Sequence, residues 1–127
     1  MATVIHSFAV SGVNAYPVIV ETVALHGQPF VNIVGLGDTA VKEAAHRLQA
    51  ALTSKRFEFP KLKVVINLAP SGVKKSGSHF DLAMAVSLLQ EVGQINLKEE
   101  DLKTTAFIGE LSLNAELRAG ATLRKLG

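Results

Sequence analysis

The sequence predicts an α+β fold, a mixed sheet packed by two main helices. Three observations predict it. Near the N-terminus apolar and polar residues alternate in short runs broken by turn residues, which is the period of strands. Two later stretches place apolar residues at the three- and four-residue intervals of a helix. Between them lies a run that is almost continuously apolar in its second half, as in a strand inside a sheet. With 127 residues, 48% of them hydrophobic and 19% charged, the chain suits one domain over residues 1–127, too apolar for disorder.

Residues 3–10 (TVIHSFAV) alternate and read as a strand, closed by the turn residues Ser11 to Asn14. Residues 15–25 read as a second strand, with Pro17 placing its start at an edge or bulge. His26-Gly27-Gln28-Pro29 is turn chemistry, and residues 30–35 make a third strand, so three consecutive hairpin-linked strands are the economical reading. Asp38 is a suitable N-cap for the first helix. Val41, Ala44, Leu48, Ala51 and Leu52 form its apolar stripe, and Glu43 and Arg47 pair at i, i+4 on the other side, until the helix ends near Lys55. Residues 61–69 (KLKVVINLA) read as a central strand buried on both faces. Residues 80–92 form a second helix, apolar almost all round and therefore buried. Residues 104–113 read as a further strand, and Asn114-Ala115 stands where a tight turn belongs, although Ala115 is a poor fit for positive φ. Leu123 to Leu126 is too short for a stable helix.

The formal charge is only +2, which does not by itself identify a nucleic-acid binder. One cluster of cations stands out: Lys55, Arg56, Lys61 and Lys63, with Lys74 and Lys75 further on. It reads either as a phosphate-contacting surface or as an ordinary solvated face. The absence of cysteine excludes disulfides and thiolate chemistry and suits a reducing cytoplasm. No apolar run is long enough to span a membrane, and the first residues lack the pattern of a signal peptide.

The stretch from Val64 through the loop Ser71–Ser78 into the second helix has the setting of a phosphate-binding loop, and Gly72 and Gly77 have the required spacing. The next two positions should be Lys and Ser or Thr, to hold phosphates and Mg²⁺. They are Ser78 and His79, so a nucleotide site is rejected. Weak anion binding by the amides of this helix start stays open beside the reading as an ordinary loop. His6, His26, His46 and His79 show no metal-ligand spacing, so no metal site is expected. Ser71, Ser76 and Ser78 are available hydroxyls, but no Gly-x-Ser-x-Gly elbow surrounds them. Asp81 reads as a first-turn acid favoured by the helix dipole.

Four blocks resemble a known family. Val34-Gly35-Leu36-Gly37-Asp38-Thr39-Ala40-Val41-Lys42-Glu43-Ala44 is the first. Phe57 to Pro60 with Val65 to Pro70 is the second, Lys75 to Ala85 the third, and Phe107 to Leu113 the fourth. In this order, over nearly the whole chain, they resemble the N-terminal domain of the magnesium-chelatase-like AAA+ proteins, the competence protein ComM group. The resemblance implies a fold like the second domain of ribosomal protein S5 and the proteolytic domain of Lon proteases. In that alignment His79 takes the place of the nucleophilic serine, and the lysine of the Ser–Lys dyad falls at Arg124. Arginine keeps its proton and cannot act as the base, so the resemblance implies a protease fold without protease chemistry. It also implies a parent protein that is a bacterial, hexameric, DNA-dependent ATPase and helicase, promoting branch migration in natural transformation, with ATP and Mg²⁺ bound in a module outside this chain. The expected partners are DNA, through Lys55, Arg56, Lys61, Lys63, Lys74 and Lys75, the parent's own AAA+ module and neighbouring subunits. Two alternatives come from other classes: a Lon-type Ser–Lys hydrolase, and a scaffold that pairs β-edges through its N-terminal strands.

Overall fold

The computed structural model describes residues 2–11, 13–70, 79–114 and 122–125. Two long strands, β1 (Thr3–Ser11) and β2 (Asn14–Leu25), pair antiparallel over the whole length of β1 as the hairpin the alternation predicts. β3 (Phe30–Val34), α1 (Asp38–Ser54) and β4 (Lys63–Ala69) then form a βαβ unit, with β3 and β4 parallel. α2 (Asp81–Glu91), the short α3 (Glu99–Thr104), β5 (Thr105–Ile108) and β6 (Thr122–Lys125) complete an α+β domain. The six-stranded mixed sheet has the order β3-β4-β2-β1-β5-β6.

That order corrects the expectation of three hairpin-linked strands. β3 does not pair back onto β2; β4 inserts between them, antiparallel to β2. The reason lies in what each strand can bury. Val64, Ile66 and Leu68 of β4 are almost wholly enclosed, whereas Ile33 alone of β3 is buried, so β4 takes the position with two neighbours. β4 is central, as expected, but only one of its faces is fully buried; Val65 and Asn67 on the other are half-exposed. Pro17 lies in an interior strand, yet β2 meets β4 only from Ile19 onward, so its missing N–H falls where β2 has a single neighbour.

The helices cover one face. Ile5, Val18, Val20, Val64, Ile66 and Leu68 project from the sheet onto Leu48, Ala51, Met84 and Leu88 of α1 and α2. Each such large side chain contributes about 1.5–3 kcal/mol on burial. Buried hydroxyls are satisfied: Thr22 and Ser87 hydrogen-bond each other at 2.6 Å, and Ser7 donates to the Phe107 carbonyl at 2.8 Å. α3 escapes the hydrophobic pattern because Leu102 is its sole buried residue; Glu99, Glu100 and Asp101 in its first turn and Lys103 in its last complement the helix dipole. Asp38 is not the cap of α1. Gly37, in extended conformation, takes that place, and Asp38 is the first helical residue.

Both main helices end in the same motif. In α1 the Arg56 N–H reaches the Thr53 carbonyl and the Phe57 N–H the Leu52 carbonyl, at 3.0 Å each. In α2 the Gly93 N–H reaches Gln90 at 3.2 Å and the Gln94 N–H reaches Leu89 at 2.9 Å. These paired bonds satisfy terminal carbonyls and require a left-handed residue just past the helix. Gly93 (φ 80°) adopts it freely, but Arg56 (φ 65°) does so with a Cβ. Replacing Arg56 by Gly is therefore expected to stabilise the fold by about 0.5–1 kcal/mol. Gly93→Ala should cost about 1 kcal/mol through the backbone alone, since an added Cβ meets nothing within 4 Å. Urea midpoints at unchanged slope measure both.

Candidate functional site

Several contacts converge at the head of α2. Phe80, 1% exposed, anchors the start of the helix in the core. The backbone just before and after it is stitched to the segment following β5. Gly109 donates to the His79 carbonyl at 2.8 Å and accepts from the Leu82 N–H at 3.0 Å. The strand expected over residues 104–113 ends at Ile108, because the next residue, Gly109, gives both its backbone groups to the head of α2 rather than to a ladder.

Asp81 is fully buried and receives three hydrogen bonds. Arg47 of α1 donates through Nε at 2.7 Å and through Nη2 at 3.0 Å, a bidentate fork, and the Leu111 N–H donates at 3.1 Å. Sequence reasoning missed this contact. It paired Arg47 with Glu43, which stands 4.0 Å away and largely in solvent, and it gave Asp81 to the helix dipole. The available signal was that an acid at the head of a helix with no solvated face needs a cation from elsewhere in the fold. Burial pushes the Asp81 carboxyl up from its ordinary value, against the pull of the Arg47 and Leu111 donors. Arg47 is raised, first by its hydrogen bond to Asp81.

The two positions that the resemblance aligns with a protease dyad both lie beside β5. His79 is exposed, bound through its carbonyl to Gly109 just past the end of the strand, and Arg124 stands opposite Ala106 in β6. Ser71, Ser76 and Ser78 lie outside the described residues, as does Ala115, the second residue of the turn expected at Asn114-Ala115. Among the described residues no group of His, Asp and Glu could hold a metal ion.

The cationic cluster occupies the other end of the βαβ unit. Lys55 caps α1, Arg56 follows it, Lys61 precedes β4 and Lys63 opens it; all four are exposed and, among the described residues, none is ion-paired. The link carrying them is held by one neutral side chain. The Gln94 carboxamide accepts from the Glu58 N–H at 2.9 Å and donates to the Glu58 carbonyl at 2.6 Å, as a neighbouring strand would. Gly27 packs on Lys63 at the same end, where an added Cβ would stand 3.6 Å from that of Lys63. Lys74 and Lys75 lie outside the described residues, and the chain enters that segment at Pro70, at the far end of β4 from Lys63.

The Arg47–Asp81 pair yields a signed expectation. Removing Arg47 strands a buried carboxylate, so Arg47→Met should destabilise the fold by about 3–5 kcal/mol at neutral pH. An acid whose folded pKa is raised takes up its proton more readily in the fold, so lowering the pH through that value favours the folded state. The deficit of the variant should therefore shrink in mildly acidic buffer, as Asp81 is protonated. Denaturation of both proteins at the two conditions measures it, and a deficit independent of pH would remove the carboxylate from the explanation.

Comparison with known proteins adds the family. Residues 20–125 match the family model described as subunit ChlI of Mg-chelatase. The chain is 40% identical over 115 residues to the uncharacterized protein YifB of Salmonella typhimurium, which covers 91% of the chain and 22% of that protein. It is 38% identical to YifB of Escherichia coli over 116 residues, with the same 91% and 22% coverage. It is 36% identical over 115 residues to competence protein ComM of Haemophilus influenzae, again covering 91% of the chain and 22% of the relative. The chain thus spans about a fifth of the length of these relatives. With a family match over most of its length and the same blocks shared with ComM, this chain belongs to the magnesium-chelatase-like family, as a domain of the ComM type.

Proposed function

We propose that this chain is an accessory domain of a larger AAA+ ATPase, without catalysis of its own, and that its basic end contacts the phosphates of DNA. The observation that carries the reading is the group of four exposed cations, Lys55, Arg56, Lys61 and Lys63, unpaired among the described residues and interrupted by a single acid, Glu58. One relative, from Haemophilus influenzae, is named a competence protein. In this reading the parent of the domain would be a cytoplasmic, hexameric helicase that promotes branch migration. Lys74 and Lys75 would add to the contact. The residues of the glycine loop do not fit a nucleotide, because Ser78 and His79 stand where Lys and a metal-binding hydroxyl are needed. ATP and Mg²⁺ would bind elsewhere in the parent, so no step of hydrolysis is assigned to this chain. Among the described residues no helix is long and apolar enough to cross a membrane.

The hydrolase alternative requires a hydroxyl activated by a base. At the positions the family alignment offers, His79 replaces the nucleophile and Arg124 the base, and a guanidinium stays protonated. Unfolded casein is expected to survive incubation with the chain, and cleavage lost on Ser78→Ala would reverse the assignment.

Salt dependence tests the DNA contact. If four phosphates are neutralised, the logarithm of duplex affinity should fall with that of salt at a slope of roughly −3.6, about a hundredfold between low and physiological salt. Fluorescence anisotropy with a labelled duplex reads the slope. Lys55→Ala with Lys63→Ala should reduce it by about two contacts. Binding that is absent, or insensitive to salt and to this double substitution, would leave the cations as a solvated face.

A further inference from the structure

We propose that the outer edge of β3 is a self-pairing surface, through which two copies of this chain join antiparallel about Asn32 into one continuous sheet. β3 is the terminal strand of the sheet, and among the described residues nothing pairs with its outer side. Its sequence, Phe30-Val31-Asn32-Ile33-Val34, contains no charge and no proline, the usual devices that protect an edge. The opposite edge strand, β6, contains Arg124 and Lys125. Phe30 and Val34, 61% and 45% exposed, place an apolar side chain on either side of Asn32.

The backbone selects the geometry. Phe30 donates its N–H to the Leu62 carbonyl at 3.4 Å, so this residue turns its polar groups toward β4. Alternation along the strand then sends the N–H and C=O of Asn32 and Val34 the same way, and those of Val31 and Ile33 outward. The outward groups are thus placed symmetrically about Asn32. In an antiparallel partner centred there, Val31 meets Ile33 of the second copy and exchanges both hydrogen bonds, twice over by symmetry. Phe30 lies opposite Val34 of the second copy, apolar on apolar. Asn32 faces its own counterpart at a close, non-hydrogen-bonded position, where two carboxamides can bond each other.

The helix flanking this edge is compatible with such a neighbour. Ala45 and Gln49 of α1 border an apolar notch with Phe30, Val31 and Phe59. His46, Gln49, Ala50 and Thr53 continue round the helix without a formal charge when the histidine is neutral. A two-fold contact joins copies in pairs and does not close a ring, so it is separate from the ring contacts proposed for the parent. It does not rest on the DNA reading either, since Lys55, Arg56 and Lys61 lie outside the strand that pairs.

Sedimentation equilibrium of the 127-residue chain over a concentration series tests the pairing. The expected result is a monomer–dimer equilibrium with a limiting mass twice that of the chain. Asn32→Lys sets two like charges face to face at the two-fold and should raise the dissociation constant about tenfold or more. Val31→Pro removes an outward N–H while sparing the β4 ladder, and should give a monomer. Circular dichroism melts establish that each variant is folded, and Asn32→Lys carries the test if Val31→Pro is not. A chain that is monomeric at all concentrations, or a dimer untouched by Asn32→Lys, overturns the proposal, whatever the outcome of the DNA titration.

Discussion

The fold turns on a carboxylate placed where no water reaches it. Asp81 opens a helix that is otherwise apolar on nearly every side, and the domain is arranged so that three donors converge on it: the two arms of the Arg47 fork and the Leu111 N–H. These come from two separate parts of the chain, α1 and the segment after β5. α1 is held to α2, and the segment after β5 is drawn away from the sheet toward the same point. A buried pair of this kind adds little net stability compared with well-packed apolar residues, but its directional bonds leave few alternative arrangements. The register between the two main helices and the position of Leu111 against α2 both follow from satisfying one group.

Much of the fold can be read from periodicity, because periodicity reports which residues face the core. The β1–β2 hairpin, the stripe Ala44, Leu48, Ala51 and Leu52, and the enclosed helix α2 were all visible in that way. What was not visible depended on choices between partners. Alternation says that β3 and β4 are strands, but not that β4 separates β3 from β2; that follows from the relative burial of Ile33 and of Val64, Ile66 and Leu68. α3 was silent because one buried leucine makes no period. The Arg47–Asp81 contact joins residues 34 positions apart, beyond any local pattern, and the nearer Glu43 offered a plausible but solvated substitute.

The candidate site was legible in a different sense. The cations at 55, 56, 61 and 63 lie close in sequence, and the short link between α1 and β4 keeps them at one end of the βαβ unit. The head of α2, with His79 and the buried acid behind it, lies at the opposite end of β4. Charge clustering marks the cations in the sequence, and the family resemblance marks His79. Neither could show that a strand's length divides them, and a partner at one end therefore leaves the other accessible.

The clamp formed by Gln94 has its own consequence. It holds the Glu58 backbone with a neutral amide, in two short hydrogen bonds that ionic strength does not screen. The lysines and arginine around it are left to solvent and to whatever polyanion approaches. Platform and contact are thereby electrostatically decoupled: counterions that compete for the cations do not loosen the loop presenting them.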